Sequence, residues 1–221
     1  MLNKSKGNMY SWITHTWNTV KGKCPHGCTY CYMTRWGKQN PARFDSKELK
    51  TDLGTGNFIF VGSNCDMFAK EIPEKWIWET LDACENSLGN RFLFQSKNPE
   101  RFWAFNNSIV MSDMASLCTT IETNRVYEEI MQSSPLPTDR AKWMNVYAGF
   151  DRFVTIEPIM DFDLEPMIEL IKRCEPSQVN IGADSGNNDL PEPPREKLIE
   201  LIEALNKFTV ISRKTNLGRL L

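Results

Sequence analysis

Short runs of Phe, Ile and Val recur along the chain, separated by stretches in which apolar residues return every three or four positions. The runs Tyr10–Thr16, Asn57–Gly62, Arg91–Gln95, Ser116–Ile121, Arg152–Glu157, Gln178–Gly182 and Phe208–Ser212 have the length and composition of buried strands. Between them, Pro73–Ser87 places Trp76, Ile77, Leu81, Cys84 and Leu88 on one side of a helix. Leu164–Cys174 and Arg195–Asn206 show the same 3.6-residue period, and Asn98-Pro99-Glu100 reads as a helix start. After the first strand the unit repeats about every 25–35 residues, as βαβ units do. The pattern predicts an α/β fold with mostly parallel strands and helices outside. A closed eight-stranded barrel takes about 250 residues. Six or seven strands in 221 residues therefore predict a partial, open (βα)6-type barrel, with a doubly wound open sheet as the alternative. No composition break divides residues 1–221, so one domain is expected.

Nearly every predicted strand ends in polar or charged residues, among them Ser63, Asp66, Lys97, Glu122, Glu157 and Lys214. In α/β folds ligands bind at the carboxyl ends of the strands, and that end is the expected site.

Composition narrows the picture. Hydrophobic residues make up 41% and charged residues 24%, which is ordinary for a globular domain. No apolar run approaches the roughly 18–20 residues of a membrane span. The N-terminus has no hydrophobic stretch after its lysines, so a cytoplasmic location is expected. A net charge of −2 lacks the basic excess of proteins that coat long nucleic acid. A local basic patch remains, since Lys21, Lys23, Arg35, Lys38 and Arg43 all lie near a group of cysteines.

That group is the main chemical signal. Of seven cysteines, three fall in Cys24-Pro25-His26-Gly27-Cys28-Thr29-Tyr30-Cys31, spaced C-x3-C-x2-C. An odd count without an export signal argues against a disulfide framework. Three thiolates on one tight loop after the first strand can converge on one metal centre. One option is structural zinc, completed by His26 or His15. The other is a four-iron cluster, which ordinarily takes four cysteines; three leave one iron open, as catalytic metal sites are.

C-x3-C-x2-C with Tyr30 before the last cysteine, on the loop after strand one of a partial barrel, resembles the radical S-adenosylmethionine (SAM) superfamily. The segments 11–18 (Ser-Trp-Ile-Thr-His-Thr-Trp-Asn), Val61-Gly62-Ser63, Lys97-Asn98-Pro99-Glu100-Arg101 and Ile156-Glu157-Pro158 resemble a small phage-associated branch of it, distantly similar to spore photoproduct lyase. The resemblance implies a 4Fe–4S cluster on Cys24, Cys28 and Cys31, with SAM chelated at the open iron. Reduction of the cluster then cleaves SAM to methionine and a 5′-deoxyadenosyl radical that abstracts hydrogen from a substrate. It implies an electron donor such as flavodoxin or ferredoxin, and it leans the substrate towards a nucleotide or nucleic acid. Tyr30 takes the position next to the adenine. Many members carry Gly-Gly-Glu after strand two; here the stretch is Gly62-Ser63-Asn64-Cys65-Asp66, with Gly62 and Ser63 at the close backbone approach and Asp66 in place of the acid. Glu122 and Glu157, at the ends of strands four and five, are the expected holders of the SAM ribose and carboxylate.

Cys118 shares strand parity with Thr120 and Glu122, so it faces the lumen if Glu122 does. There it is either a hydrogen donor to a product radical or a packed residue. Cys65, on the presumed SAM loop, is a second catalytic candidate. Cys84 and Cys174 read as helix packing, and His26 as a loop residue or a tuner of the cluster. Trp12, Trp17 and Trp36 flank the cysteine region and read as core and shielding. Two other functions compete: an activase that generates a radical on a partner protein, and a non-catalytic zinc module.

Overall fold

The computed structural model describes residues 1–108 and 110–221, with residues 112 and 113 described by their backbone. The strands are β1 (Asn3–Lys4), β2 (His15–Trp17), β3 (Val20–Lys21), β4 (Arg43–Phe44), β5 (Phe58–Val61), β6 (Arg91–Gln95), β7 (Ala115–Thr120), β8 (Asp151–Ile156), β9 (Gln178–Ile181) and β10 (Val210–Arg213). The helices are α1 (Glu74–Glu85), α2 (Glu128–Met131), α3 (Pro137–Val146), α4 (Leu164–Cys174) and α5 (Arg195–Leu205).

Eight strands form one sheet in the order β1-β2-β5-β6-β7-β8-β9-β10. Every pairing from β2 to β10 is parallel; β1 adds an antiparallel edge. β1 and β10 do not pair with each other, so the sheet is open. The predicted partial barrel is the observed fold. A separate ribbon, β3 with β4, brackets the cysteine loop.

Alternation along the strands sorts side chains onto two faces. Phe92, Phe94, Leu117, Val154 and Ile156 point outward into a large core shared with Ile77, Leu81, Ile171 and Leu201 of the helices. Leu93, Cys118 and Phe153 point inward into a second cluster, closed by Tyr10 and Ile13. α4 shows why the helices form where they do. Met167, Ile168, Leu170, Ile171 and Cys174 are its buried face, and Glu175 ends it at φ +45°. Each such large apolar side chain contributes about 1.5–3 kcal/mol, as an upper figure, by leaving water.

Three expectations shift. The apolar run from Tyr10 is not strand at its start: residues 10–13 turn inside the barrel, with the Ile13 amide donating to the Tyr10 carbonyl at 3.1 Å, and pairing begins at His15. Trp12 stacks on Tyr10 at 5.2 Å. Trp36 is 67% exposed and Leu88 is 75% exposed, so neither is core. α3 is an addition, hidden in the pattern because its buried face carries a charge, Arg140, beside Ala141 and Met144. No helix among the described residues is long and apolar enough to cross a membrane.

Candidate cofactor site at the carboxyl face

The cysteine triplet lies on the loop after β3. Successive turns carry it, with the Gly27 amide donating to the Cys24 carbonyl and the Cys31 amide to the Cys28 carbonyl, each at 3.2 Å. A second segment holds the loop from behind. Thr29 donates to the Ile130 carbonyl at 3.1 Å and Ser133 to the His26 carbonyl at 3.0 Å; the Cys28 sulfur and Ser134 hydroxyl are 3.1 Å apart. All three cysteines are free thiols, Cys28 buried and the others half-buried.

The Cys24 thiol is held well above the ordinary thiol range by its hydrogen bond with Cys65, by burial and by Asp66. Burial does the same to Cys31. Such thiols become thiolates when a metal centre supplies positive charge, so the donor set fits a soft, thiolate-bound metal group. Among the described residues no three His, Cys, Asp or Glu side chains converge within reach of one ion. Tetrahedral zinc needs that convergence; a four-iron cluster spreads its cysteines over separate irons.

Asp66 staples this loop to the sheet. Its Oδ2 accepts from His26 Nε2 at 2.8 Å, Ser96 Oγ at 2.9 Å and the Lys97 amide at 2.9 Å, and its Oδ1 accepts from the Phe68 amide at 3.0 Å. Burial alone would raise its pKa, but His26 and the amide donors hold it low. His26 is 4% exposed; burial would lower its pKa, and Asp66 raises it instead. Both Asp66 oxygens are thus engaged within the protein.

Glu122 is a second hub, fully buried at the end of β7. Its Oε2 accepts from Arg140 Nη1 at 2.7 Å; its Oε1 takes Lys97 Nζ and the Tyr30 hydroxyl. Lys97 also lies over the Tyr30 ring, 5.1 Å from its centroid. Burial opposes the charge, yet Arg140 and Lys97 hold the Glu122 carboxyl far below its ordinary range. Tyr30 is therefore fixed by the carboxylate, one residue before the last cysteine of the triplet.

Glu157 closes the other side. It accepts from Lys214 Nζ at 2.5 Å, Asn8 Nδ2 at 2.6 Å and Asn216 Nδ2 at 3.2 Å, which ties the two ends of the chain across the open edge. Gly62, at φ +79°, would bring a Cβ to 3.3 Å from the Cys65 carbonyl, so glycine is needed for this close turn. Asn18 Oδ1 orders the turn by accepting from Ser63 Oγ at 3.2 Å and the Asn64 amide at 3.1 Å. Cys118 does face the lumen, fully buried among Tyr10, Leu93 and Phe153, 3.7 Å from the Thr155 hydroxyl. Burial pushes its thiol up to about 12. Above it, the Tyr10 hydroxyl meets Gln95 at 2.8 Å and Thr155 at 2.5 Å.

The triplet, Tyr30, Gly62, Ser63, Asp66 and Glu122 are thus linked at one end of the sheet, while Glu157 belongs to a separate cluster with Lys214. Sequence reading did not single out Asn8, Tyr10 and Asn18 as site residues, nor Arg140. Lys97 and Lys214 were visible as strand-end charges, but their partners were not.

No family model and no curated protein matches this sequence. Solved structures do match. A doubly substituted spore photoproduct lyase with bound AdoMet and dinucleoside spore photoproduct superposes with a TM-score of 0.65 at 10% identity, covering 93% of this chain and 78% of that one. Spore photoproduct lyase complexed with dinucleoside spore photoproduct gives a TM-score of 0.67 at 10% identity, with the same coverage. At that identity the likeness is one of fold. It is the fold of the radical SAM enzyme to which the sequence resemblance pointed.

Proposed function

We propose that the chain is a radical SAM enzyme. A 4Fe–4S cluster sits on Cys24, Cys28 and Cys31, SAM binds beside it at the carboxyl face, and the substrate is a nucleotide or nucleic-acid component. The observation that carries this reading is a run of three free thiols, held at the carboxyl end of a partial barrel shared with spore photoproduct lyase. When bound, the cluster and SAM supply one-electron cleavage of SAM and hydrogen abstraction from the substrate; a flavodoxin- or ferredoxin-type donor supplies the electron.

The chain's own residues then have distinct tasks. Asp66 and His26 fix the cysteine loop to β6, and Glu122 with Lys97 sets the Tyr30 ring against the adenine. Gly62 and Ser63 let the backbone approach SAM, and Glu157 with Lys214 walls the far side. Cys118, a protonated thiol inside the barrel, is the hydrogen donor of this reading. The exposed cations Lys23, Arg35, Lys38 and Arg43 beside the loop favour a phosphate-bearing substrate, and the dinucleoside bound by the structural neighbour points the same way.

The test is anaerobic iron and sulfide analysis with EPR, on wild type and a Cys24/Cys28/Cys31→Ala variant, with and without SAM. The expected result is about four irons per chain, lost in the variant, with a signal perturbed by SAM and 5′-deoxyadenosine formed under reduction. A zinc-loaded, iron-free chain overturns the reading.

A further inference from the structure

Six of the seven cysteines have a place already: three on the loop, and Cys84, Cys118 and Cys174 packed in the interior. Cys65 does not. It lies on the turn after β5, 2% exposed, and its side chain is hydrogen-bonded to that of Cys24. It is a fourth sulfur touching the triplet.

The backbone on both sides of this pair is held. The Cys65 amide donates to the Gly62 carbonyl at 3.4 Å, and Asn18 pins the preceding residue, Asn64, at 3.1 Å. The next residue, Asp66, takes His26 at 2.8 Å, and His26 is two positions beyond Cys24. Gly62 leaves no slack, since any Cβ there presses on the Cys65 carbonyl and on Met67. The two sulfurs meet because two loops are fastened together beside them.

In the metal-free chain both sulfurs are thiols. Once Cys24 gives its proton up to bind iron, its sulfur can only accept, and the neighbouring Cys65 S–H becomes the donor. Hydrogen bonds to cluster sulfurs stabilise the more negative, reduced state and so raise the reduction potential. We propose that Cys65 is a positioning residue whose thiol donates to the Cys24 sulfur and makes the cluster easier to reduce; this rests on the cluster assignment above.

The experiment compares wild type, Cys65→Ala and Cys65→Ser by EPR-monitored redox titration of the reconstituted cluster. Cys65→Ala is expected to keep its iron and titrate at a more negative potential. Cys65→Ser keeps a donor and is expected to stay nearer the wild-type value. An unmoved potential in Cys65→Ala with full iron overturns this proposal alone. A wild-type chain that takes up no iron overturns the cluster assignment and this proposal with it.

A second measurement is independent of iron. The cluster-free wild-type chain is treated with diamide, alkylated and mapped by mass spectrometry. Two adjacent thiols lose two protons and two electrons to the diamide azo bond and join as a disulfide. The expected bridge is Cys24–Cys65. Recovery of alkylated Cys65 with Cys24 bridged to Cys28 or Cys31 overturns the contact on which the proposal stands.

Discussion

Glu122→Gln tests the buried hub most directly. The carboxylate faces Arg140 at 2.7 Å with neither side chain exposed, and it also takes Lys97, whose side chain is 15% exposed. The amide keeps the shape but removes the charge, which strands Arg140 in the interior. Arg140 already has one buried nitrogen, Nη2, without a partner. Breaking a buried pair from one side costs about 3–5 kcal/mol; Lys97 can move towards water and adds little. With a urea slope of about 2–3 kcal/mol/M, the midpoint should fall by about 1–2 M. The assay is urea unfolding at pH 7, followed by tryptophan fluorescence and circular dichroism. The sign with pH is set by the depressed carboxyl. Its contribution is full above the unfolded value, about 4.3, and fades as pH falls towards the folded one. The gap between wild type and variant should therefore close in acid. Adding Arg140→Met should recover most of the loss, because a buried pair exchanged for apolar groups is often near neutral. A loss below about 1 kcal/mol, outside the range for a broken buried pair, refutes the hub.

Asp66→Asn should cost about 1.5–3 kcal/mol by weakening hydrogen bonds to a charged group, and should lower the iron retained after desalting; an unchanged unfolding midpoint and iron content would contradict the staple. Gly22→Ala puts a Cβ 2.5 Å from the Pro41 carbonyl oxygen at φ +109°. Both neighbours are backbone and cannot yield, so thermal unfolding should show a loss of about 2–4 kcal/mol from strain and overpacking. Trp36→Ala removes an exposed ring and should leave stability within about 0.5 kcal/mol, whatever it does to substrate affinity.

Where the local pattern and the tertiary role agree, the fold was legible before it was seen. β6 is one run of Phe and Leu and lies at its expected residues; α4 presents one apolar stripe, and the two coincide with little slack. The lumen plug misled because Tyr10, Trp12 and Ile13 are as apolar as a strand, yet they bury themselves by turning rather than by pairing. α3 escaped notice for the opposite reason: its inner face carries Arg140, and a charge breaks the apolar stripe that marks a helix.

The same logic explains the site. Cys24, Cys28 and Cys31 were legible because a metal loop must be local. Strand parity put Cys118 inside if Glu122 was inside, and Cys118 is there. Parity cannot reveal that Glu122 is claimed from β6's end by Lys97 and from α3 by Arg140, or that Asp66 is claimed by His26. These pairs join residues 18–40 positions apart, and only the closed sheet brings them together. Each pair binds one wall of the carboxyl face to another. The charges that read as a polar strand-end pattern are thus mostly neutralised among themselves, fixing the cysteine loop and Tyr30. What they leave free to meet a ligand is chiefly backbone and sulfur, as expected where a cofactor supplies the reactive group and the protein supplies its orientation.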